Sequence, residues 1–296
     1  MSRITVRIGP CRVGVEVEPR AWLEPWLPWF RRYRVEGPPA VLVRLEVDPA
    51  VDAARAAADL AAFQGLGEPG EEPAGLIGYR KGEVSARVPP ALLAREGQPG
   101  IPRVENILLC GAFNAWVEER GLGDDLALFH GCGLARGDRA VLLAGPSGAG
   151  KSTLAALAGP GAVLHDEALV VVSGGGRIIV EGTPLVGSSP GEARGPLPLG
   201  LLAFLVHGQE NRFEPLPADR AVAPLVPQVF RTCPPFPGET ARAGEPARRL
   251  AWAVRLAEAV PAGVLRFRPE PGALAALPPA GRPGGGSGPP GPPGTP

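Results

Sequence analysis

Gly145, Gly148, Gly150, Lys151, Ser152 and Thr153 carry the clearest chemistry in this chain. They lie in Val141-Leu-Leu-Ala-Gly145-Pro146-Ser147-Gly148-Ala149-Gly150-Lys151-Ser152-Thr153-Leu154, an apolar run that breaks into glycines and resumes as a helix start. Every fixed position of the pattern G-x-x-x-x-G-K-[ST] is filled. Glycines at this spacing let the backbone wrap a polyphosphate, so that successive N–H groups and the positive end of the following helix face the anion. Lys151 adds a mobile cation, and the Ser152 hydroxyl suits a magnesium ion. The chain's 30 basic residues include two lysines, Lys81 and Lys151, the rest being arginine. A chain that uses arginine almost everywhere keeps a compact ammonium at this place.

A second cluster, His165-Asp166-Glu167, begins 14 residues after Lys151 inside an otherwise apolar run. Adjacent acids in a buried strand cost several kcal/mol unless a positive group compensates them. Magnesium bound to nucleotide phosphates, with Lys151 alongside, supplies that compensation. Side chains alternate along a strand, so a regular strand sends Asp166 and Glu167 to opposite faces. A bulge, or a strand ending at Asp166, frees one carboxylate for a metal and the other for an incoming hydroxyl. A charged turn between two short strands, with no role in chemistry, is the competing reading. His130 precedes Gly145 by 15 residues at the end of a strand that should flank the loop. His207 closes another apolar strand and reads as structural, and three histidines without a second acidic or cysteine cluster do not make a zinc site.

These residues need a scaffold, and hydrophobic periodicity supplies its outline. The segments Ile4 to Ile8, Val13 to Val17 and Ala40 to Val47 read as strands, and residues 52–63 read as a helix. Trp22, Trp26, Trp29 and Tyr33 recur at steps of four, three and four, which lines one side of a helix, with Pro25 and Pro28 restricting its start. Arginines among these aromatics also suit single-stranded nucleic acid. A packed helix face explains the spacing, and no other basic cluster supports nucleic acid as a partner. Residues 65–73 read as a polar loop and 96–102 as a connector. Residues 104–120 read as a helix stopped by Gly121, with Ile107, Leu108, Ala115 and Trp116 available to pack. Leu126 to Leu134 reads as one strand, and the turn Arg136-Gly-Asp-Arg139 makes it an antiparallel neighbour of the strand feeding the loop. Beyond the loop come a two-turn helix, a hairpin around Gly174-Gly-Gly, a strand at 199–207, a helix at 248–260 and a strand at 263–267.

Composition bounds the rest. The 296 residues balance 30 basic against 30 acidic groups, so no global attraction to nucleic acid or to an anionic membrane follows. Cys11, Cys110, Cys132 and Cys233 are widely spaced and read as reduced thiols. No signal-peptide core and no uncharged apolar run of about 18 residues is present, and the expectation is a cytoplasmic protein without a membrane partner.

His130-Gly131, the loop from Gly145 to Ser152 and the pair Asp166-Glu167, in this order and spacing, resemble the catalytic domain of bacterial HPr kinase/phosphorylase and its divergent relatives, the HPr-kinase-like serine kinases. Gly182-Thr183-Pro184 adds to the likeness, which covers about residues 104–270. The resemblance implies an α/β fold: a P-loop kinase core with a mixed sheet, of the HPr kinase and PEP carboxykinase type, over residues 104–277. A smaller α+β domain over 1–103 precedes it, and a disordered Gly/Pro-rich tail over 278–296 follows. It implies ATP and Mg2+ as cofactors, with Gly145 to Thr153 holding the nucleotide and Ser152 and Glu167 on the metal side. Asp166 is then the base for a serine hydroxyl, Lys151 the phosphate cation, and His130 a neighbour of the phosphates. The implied activity is ATP-dependent transfer of a γ-phosphoryl group to a hydroxyl, serine above all, of a protein or peptide; homo-oligomers also occur in that family. An ATPase or nucleotide-gated module without a phosphoacceptor is the alternative, and Val172-Ser-Gly-Gly-Gly is not the Leu-Ser-Gly-Gly-Gln signature of transporter ATPases. A small-metabolite kinase would need an arginine-rich lid, for which Arg194 is the nearby candidate.

Overall fold

A computed structural model describes residues 3–63, 74–93, 103–188, 191–193, 195–230 and 245–280. The expected loop at 65–73, the connector at 96–102, Arg194, Cys233 and the tail beyond residue 280 lie outside the described residues. The fold is α/β, with mixed sheets and helices.

The first sheet holds β1 (Ile4–Ile8), β2 (Cys11–Glu18), β3 (Val41–Val47), β4 (Ile77–Arg80) and β5 (Glu83–Val88) in the order β1-β2-β3-β5-β4. β1 and β4 run antiparallel to their neighbours, and the three central strands are parallel. The expected helix through Trp22 and Tyr33 is instead a 3-10 turn over Arg20–Trp26 followed by the single turn α1 (Leu27–Phe30). Pro25 and Pro28 lack the N–H groups that a longer helix requires. The buried residues are Leu23, Trp26 and Phe30, while Trp22, Trp29 and Tyr33 are partly exposed. α2 (Ala53–Phe63) covers one end of the sheet, and α3 (Pro90–Leu93) follows β5.

α4 (Val104–Glu119) runs between the two halves of the molecule. Its exposed face is nearly absent: both the side expected to pack and the opposite side, with Leu109, Phe113 and Val117, are buried. A helix apolar all round is one enclosed on all sides. It packs on β2, β3 and β5, and its core continues into Leu126, Leu128 and Val170 of the second sheet. Gly121, at φ +65, ends it as its spacing implied.

The second sheet is assembled from β6 (Leu126–His130), β7 (Cys132–Arg136), β8 (Arg139–Ala144), β9 (Val163–His165), β10 (Ala168–Gly174), β11 (Arg177–Gly182), β12 (Leu197–His207), β13 (Arg212–Leu216), β14 (Val229–Phe230) and β15 (Ala262–Phe267). Its order is β14-β6-β10-β11-β12-β8-β7-β9, with β15 against the far half of β12 and β13 outside β15. The segment expected as one strand over 126–134 is broken at Gly131. Its first half pairs with β10 and β14, and its second with β8 and β9. A side chain at Gly131 would press on Phe129 and on the Leu143 carbonyl, so glycine permits the crossing. The expected antiparallel pairing of β7 with β8 is present, as is the β10–β11 hairpin.

β8 is buried on both faces, as a strand flanked by parallel β12 and antiparallel β7 must be when both sides are covered. Alternation on β6 and β10 divides two cores: Leu128 and Val170 face α4, whereas Phe129, Leu169 and Val171 face α6 (Ala218–Leu225) and α7 (Glu245–Ala259). A third core under α5 (Lys151–Ala158) joins Leu143, Leu154, Leu205 and Phe267. Among the described residues no helix is long and apolar enough to cross a membrane. Cys11 and Cys132 are buried free thiols, and burial pushes the Cys11 thiol up to about 12.

Gly263 on β15 tests the tight pairing with β13, because a Cβ there would stand 2.5 Å from the Glu214 carbonyl and overlap Phe213. Gly263→Ala is expected to destabilise the protein by about 1–3 kcal/mol, read as a lower denaturant midpoint with an unchanged slope.

Candidate functional site

β8 delivers the chain into the glycine-rich loop at Gly145, and α5 leaves it at Lys151. Ala149 N–H donates to Pro146 O at 3.1 Å, closing the loop. Gly148 (φ +80) and Gly150 (φ +98) take left-handed conformations that side chains disfavour. At Gly150 a Cβ would also overlap the Phe267 ring. No side chain caps the start of α5, so its first N–H groups are left to other acceptors. Pro146, Ser147, Gly148, Ser152 and Thr153 are exposed around this opening. Lys151 is only 7% exposed and folds back onto the loop, donating to Gly145 O at 2.8 Å and Pro146 O at 3.2 Å. Burial pulls its pKa below the ordinary lysine value, while the negative charge of Glu167 draws it back up.

Asp166 and Glu167 occupy the bend between β9 and β10, so the strand ends at His165, one residue before the acids. The bend is built by His165, a residue to which the sequence assigned no role of its own. Its Nε2 lies 2.7 Å from Leu185 O, and its Nδ1 accepts the N–H groups of Glu167 and Ala168 at 3.0 Å each. Only the neutral ring with its proton on Nε2 makes all three bonds. Burial lowers its pKa and favours that form. Trp29 reaches the same ring, with centroids 6.2 Å apart.

Asp166 is 1% exposed, and both its carboxylate oxygens accept the Ser188 N–H at 3.2 Å. Glu167 is more open, its side chain 45% exposed, with Oε1 3.6 Å from His130 Nε2. Burial raises the Glu167 pKa, Lys151 opposes that shift and Asp166 adds to it. His130 Nδ1 lies 3.1 Å from Gln228 Oε1. Burial, then the charge of Lys151, pushes the His130 pKa down to about 4. The imidazole is therefore neutral at pH 7, and its contact with Glu167 is not an ion pair there.

The segment from Thr183 to Ser188 closes the site. Thr183 Oγ1 donates to Ala168 O at 2.9 Å. Asn106 of α4 grips Val186 at both backbone groups, accepting its N–H at 2.7 Å and donating to its carbonyl at 2.8 Å. Arg103 donates to Gly187 O at 3.4 Å. A Cβ at Gly187 would overlap Asp166 Oδ1, so glycine is what lets the segment lie on the carboxylate. Ser188 Oγ finally meets Ser152 Oγ at 3.2 Å. Lys151, Ser152, His130, Asp166 and Glu167 thus converge from three places in the chain. Asn106, Gly187 and Ser188 were not singled out from sequence; their nearest signal is Gly182-Thr183-Pro184, at the head of the segment they anchor. His207, read as structural, lies against the loop, its Nε2 3.1 Å from Gly148 O and its ring 5.2 Å from that of Phe267.

Among the described residues no group of three or more histidine, cysteine or acidic side chains could hold a metal by itself. The available donors are hydroxyl and carboxylate oxygens, a set that suits magnesium sharing its shell with phosphates and water. A scan against protein-family models finds no match to the chain, and a search of curated proteins finds none either.

His130 gives a direct check on this electrostatic arrangement. Its imidazole resonance, assigned by comparison with His130→Gln, should titrate near pH 4 rather than near the usual value of about 6.5. With the folded pKa below the unfolded one, the unfolded chain binds the extra proton first. The contribution of His130 to stability is then complete above about pH 6.5 and lost as pH falls toward 4. His130→Gln should flatten that part of the stability profile.

Proposed function

We propose that this protein is an ATP-dependent kinase of the P-loop, HPr-kinase-like kind, transferring a γ-phosphoryl group to a hydroxyl, serine above all, of a protein or peptide. The observation that carries the reading is the junction of the loop with the acidic turn. Ser152, at the head of α5, is linked to Asp166 through the single residue Ser188, by contacts of 3.2 Å at each step. A phosphate cradle beside a buried carboxylate is what transfer to a hydroxyl requires: an anion site, and a group that accepts the hydroxyl proton as the new bond forms.

Each residue then has a part set by its position. The loop N–H groups and the start of α5 hold the polyphosphate. Lys151 exchanges the carbonyls of Gly145 and Pro146 for phosphate oxygens, a short movement for an ammonium already buried at the loop. Asp166 orients the acceptor hydroxyl and takes its proton. Ser152 and Glu167 stand on the metal side, where Mg2+ would neutralise phosphate charge. His130, neutral at pH 7, offers its ring beside Glu167 without adding charge. The expected domain division places the first hundred residues as an accessory module, and its Trp29 lies against the His165 that shapes the acidic bend.

Two variants separate binding from transfer. Lys151→Ala should abolish nucleotide binding. Asp166→Asn should keep it and lower transfer by about 10²-fold or more; full transfer by that variant would remove Asp166 as the base. The decisive experiment incubates the purified protein with γ-labelled ATP and a cell lysate, wild type against Lys151→Ala, and identifies the labelled species by mass spectrometry. Label on a seryl protein or peptide supports the kinase, while label released only as free phosphate would assign an ATPase.

Gly187→Ala adds a structural test, since its Cβ displaces the segment from Asp166 without touching the loop. Binding of metal-free nucleotide should hold within about twofold while transfer falls by about tenfold or more.

A further inference from the structure

Ser188 is held with more care than an exposed serine requires. Val186 is bonded at both backbone groups by Asn106, Gly187 by Arg103, and the Ser188 N–H by both oxygens of Asp166. These anchors fix an exposed hydroxyl 3.2 Å from that of Ser152, which is itself exposed. A bond between two solvent-facing hydroxyls contributes little to stability, because water replaces it readily. The placement calls for a different purpose. Magnesium takes oxygen ligands at 2.0–2.1 Å in an octahedron, so neighbouring ligands stand about 2.9 Å apart. The two serine oxygens lie within a few tenths of an ångström of that spacing, and Ser152 stands in the first turn of α5, next to Lys151.

We propose that Ser188 is a second hydroxyl ligand of the nucleotide-bound magnesium, paired with Ser152 across the mouth of the loop. The inference rests on the kinase reading above and extends it. Its consequence is a coupling. The segment that brings Ser188 to the metal also lays Gly187 and the Ser188 N–H on Asp166, so metal loading and the orientation of the base are joined through one stretch of backbone. Loss of the Ser188 hydroxyl should therefore weaken metal-dependent nucleotide binding while leaving metal-free binding to the loop and Lys151.

The test uses the full chain with ADP and Mn2+, followed by the electron paramagnetic resonance of bound Mn2+ and by calorimetric titration with ADP in excess chelator. Ser188→Ala should weaken Mn2+–ADP binding by about tenfold, leave ADP binding in chelator unchanged, and be rescued by Ser188→Thr. Equal Mn2+–ADP affinity in wild type and Ser188→Ala, with ADP binding still lost in Lys151→Ala, would overturn the ligand role and leave the kinase reading standing. Failure of the wild-type protein to bind ADP under any condition would overturn both. Phosphoserine at position 188 after incubation with ATP, without a change in Mn2+ affinity, would make Ser188 an acceptor and overturn its role as a ligand.

Discussion

The burial of Asp166 is the constraint on which the site depends. A carboxylate at 1% exposure is costly unless donors or a cation face it, and the fold answers with backbone geometry. The Ser188 N–H points at both oxygens, and the bend that carries the acid is held by a buried neutral histidine. His165 is suited to this because its two nitrogens do opposite work, one donating to Leu185 and the other accepting from two amides. A protonated ring would lose both acceptor bonds. Burial, which disfavours that form, therefore also fixes the shape of the acidic bend.

That constraint explains why the two halves of the chain are not independent. Asn106 sits on α4, a helix whose main packing is with the first sheet, yet its amide holds Val186 in the segment that covers Asp166. Arg32, just beyond α1, donates to Ala193 O, and Arg7 on β1 pairs with Glu181 at 2.5 Å. The first module thus supplies polar anchors at Glu181 and Ala193, on either side of that segment. α4 can do this because it is enclosed from both directions; a helix with one solvated face would offer one partner only.

The loop was legible because its pattern is local: the glycines, Lys151 and Ser152 are contiguous, and strand, loop and helix follow in order. The acidic pair was legible as an exception, two charges inside an apolar run. The strands β8, β10, β11 and β12 showed as apolar runs for the same reason. What sequence could not reveal is long-range. Asn106 and Val186 are 80 residues apart and meet only after both sheets form. Gly187 reads as an ordinary loop glycine until a carboxylate is found where its side chain would be. The break at Gly131 escaped because both halves of that segment are apolar, and only the change of pairing partner separates β6 from β7. The tryptophan spacing suggested one helix because a 3-10 turn followed by an α turn gives nearly the same period.

Lys151 shows why a lysine rather than an arginine suits this position. In the site it must lie almost buried, bonded to two loop carbonyls, and under the proposed reading it must leave them when phosphate enters. An ammonium does both with one atom that turns on a flexible stem, whereas a planar guanidinium needs its donors satisfied in a fixed fork and a larger space. The same burial that lowers the lysine pKa raises that of Glu167, so each is stabilised in its charged form by the other. Polyphosphate entering the loop would add negative charge to a place where Asp166 and Glu167 already stand. Lys151 alone cannot balance all of it, and under the proposed reading the hydroxyls of Ser152 and Ser188 face the second cation that does.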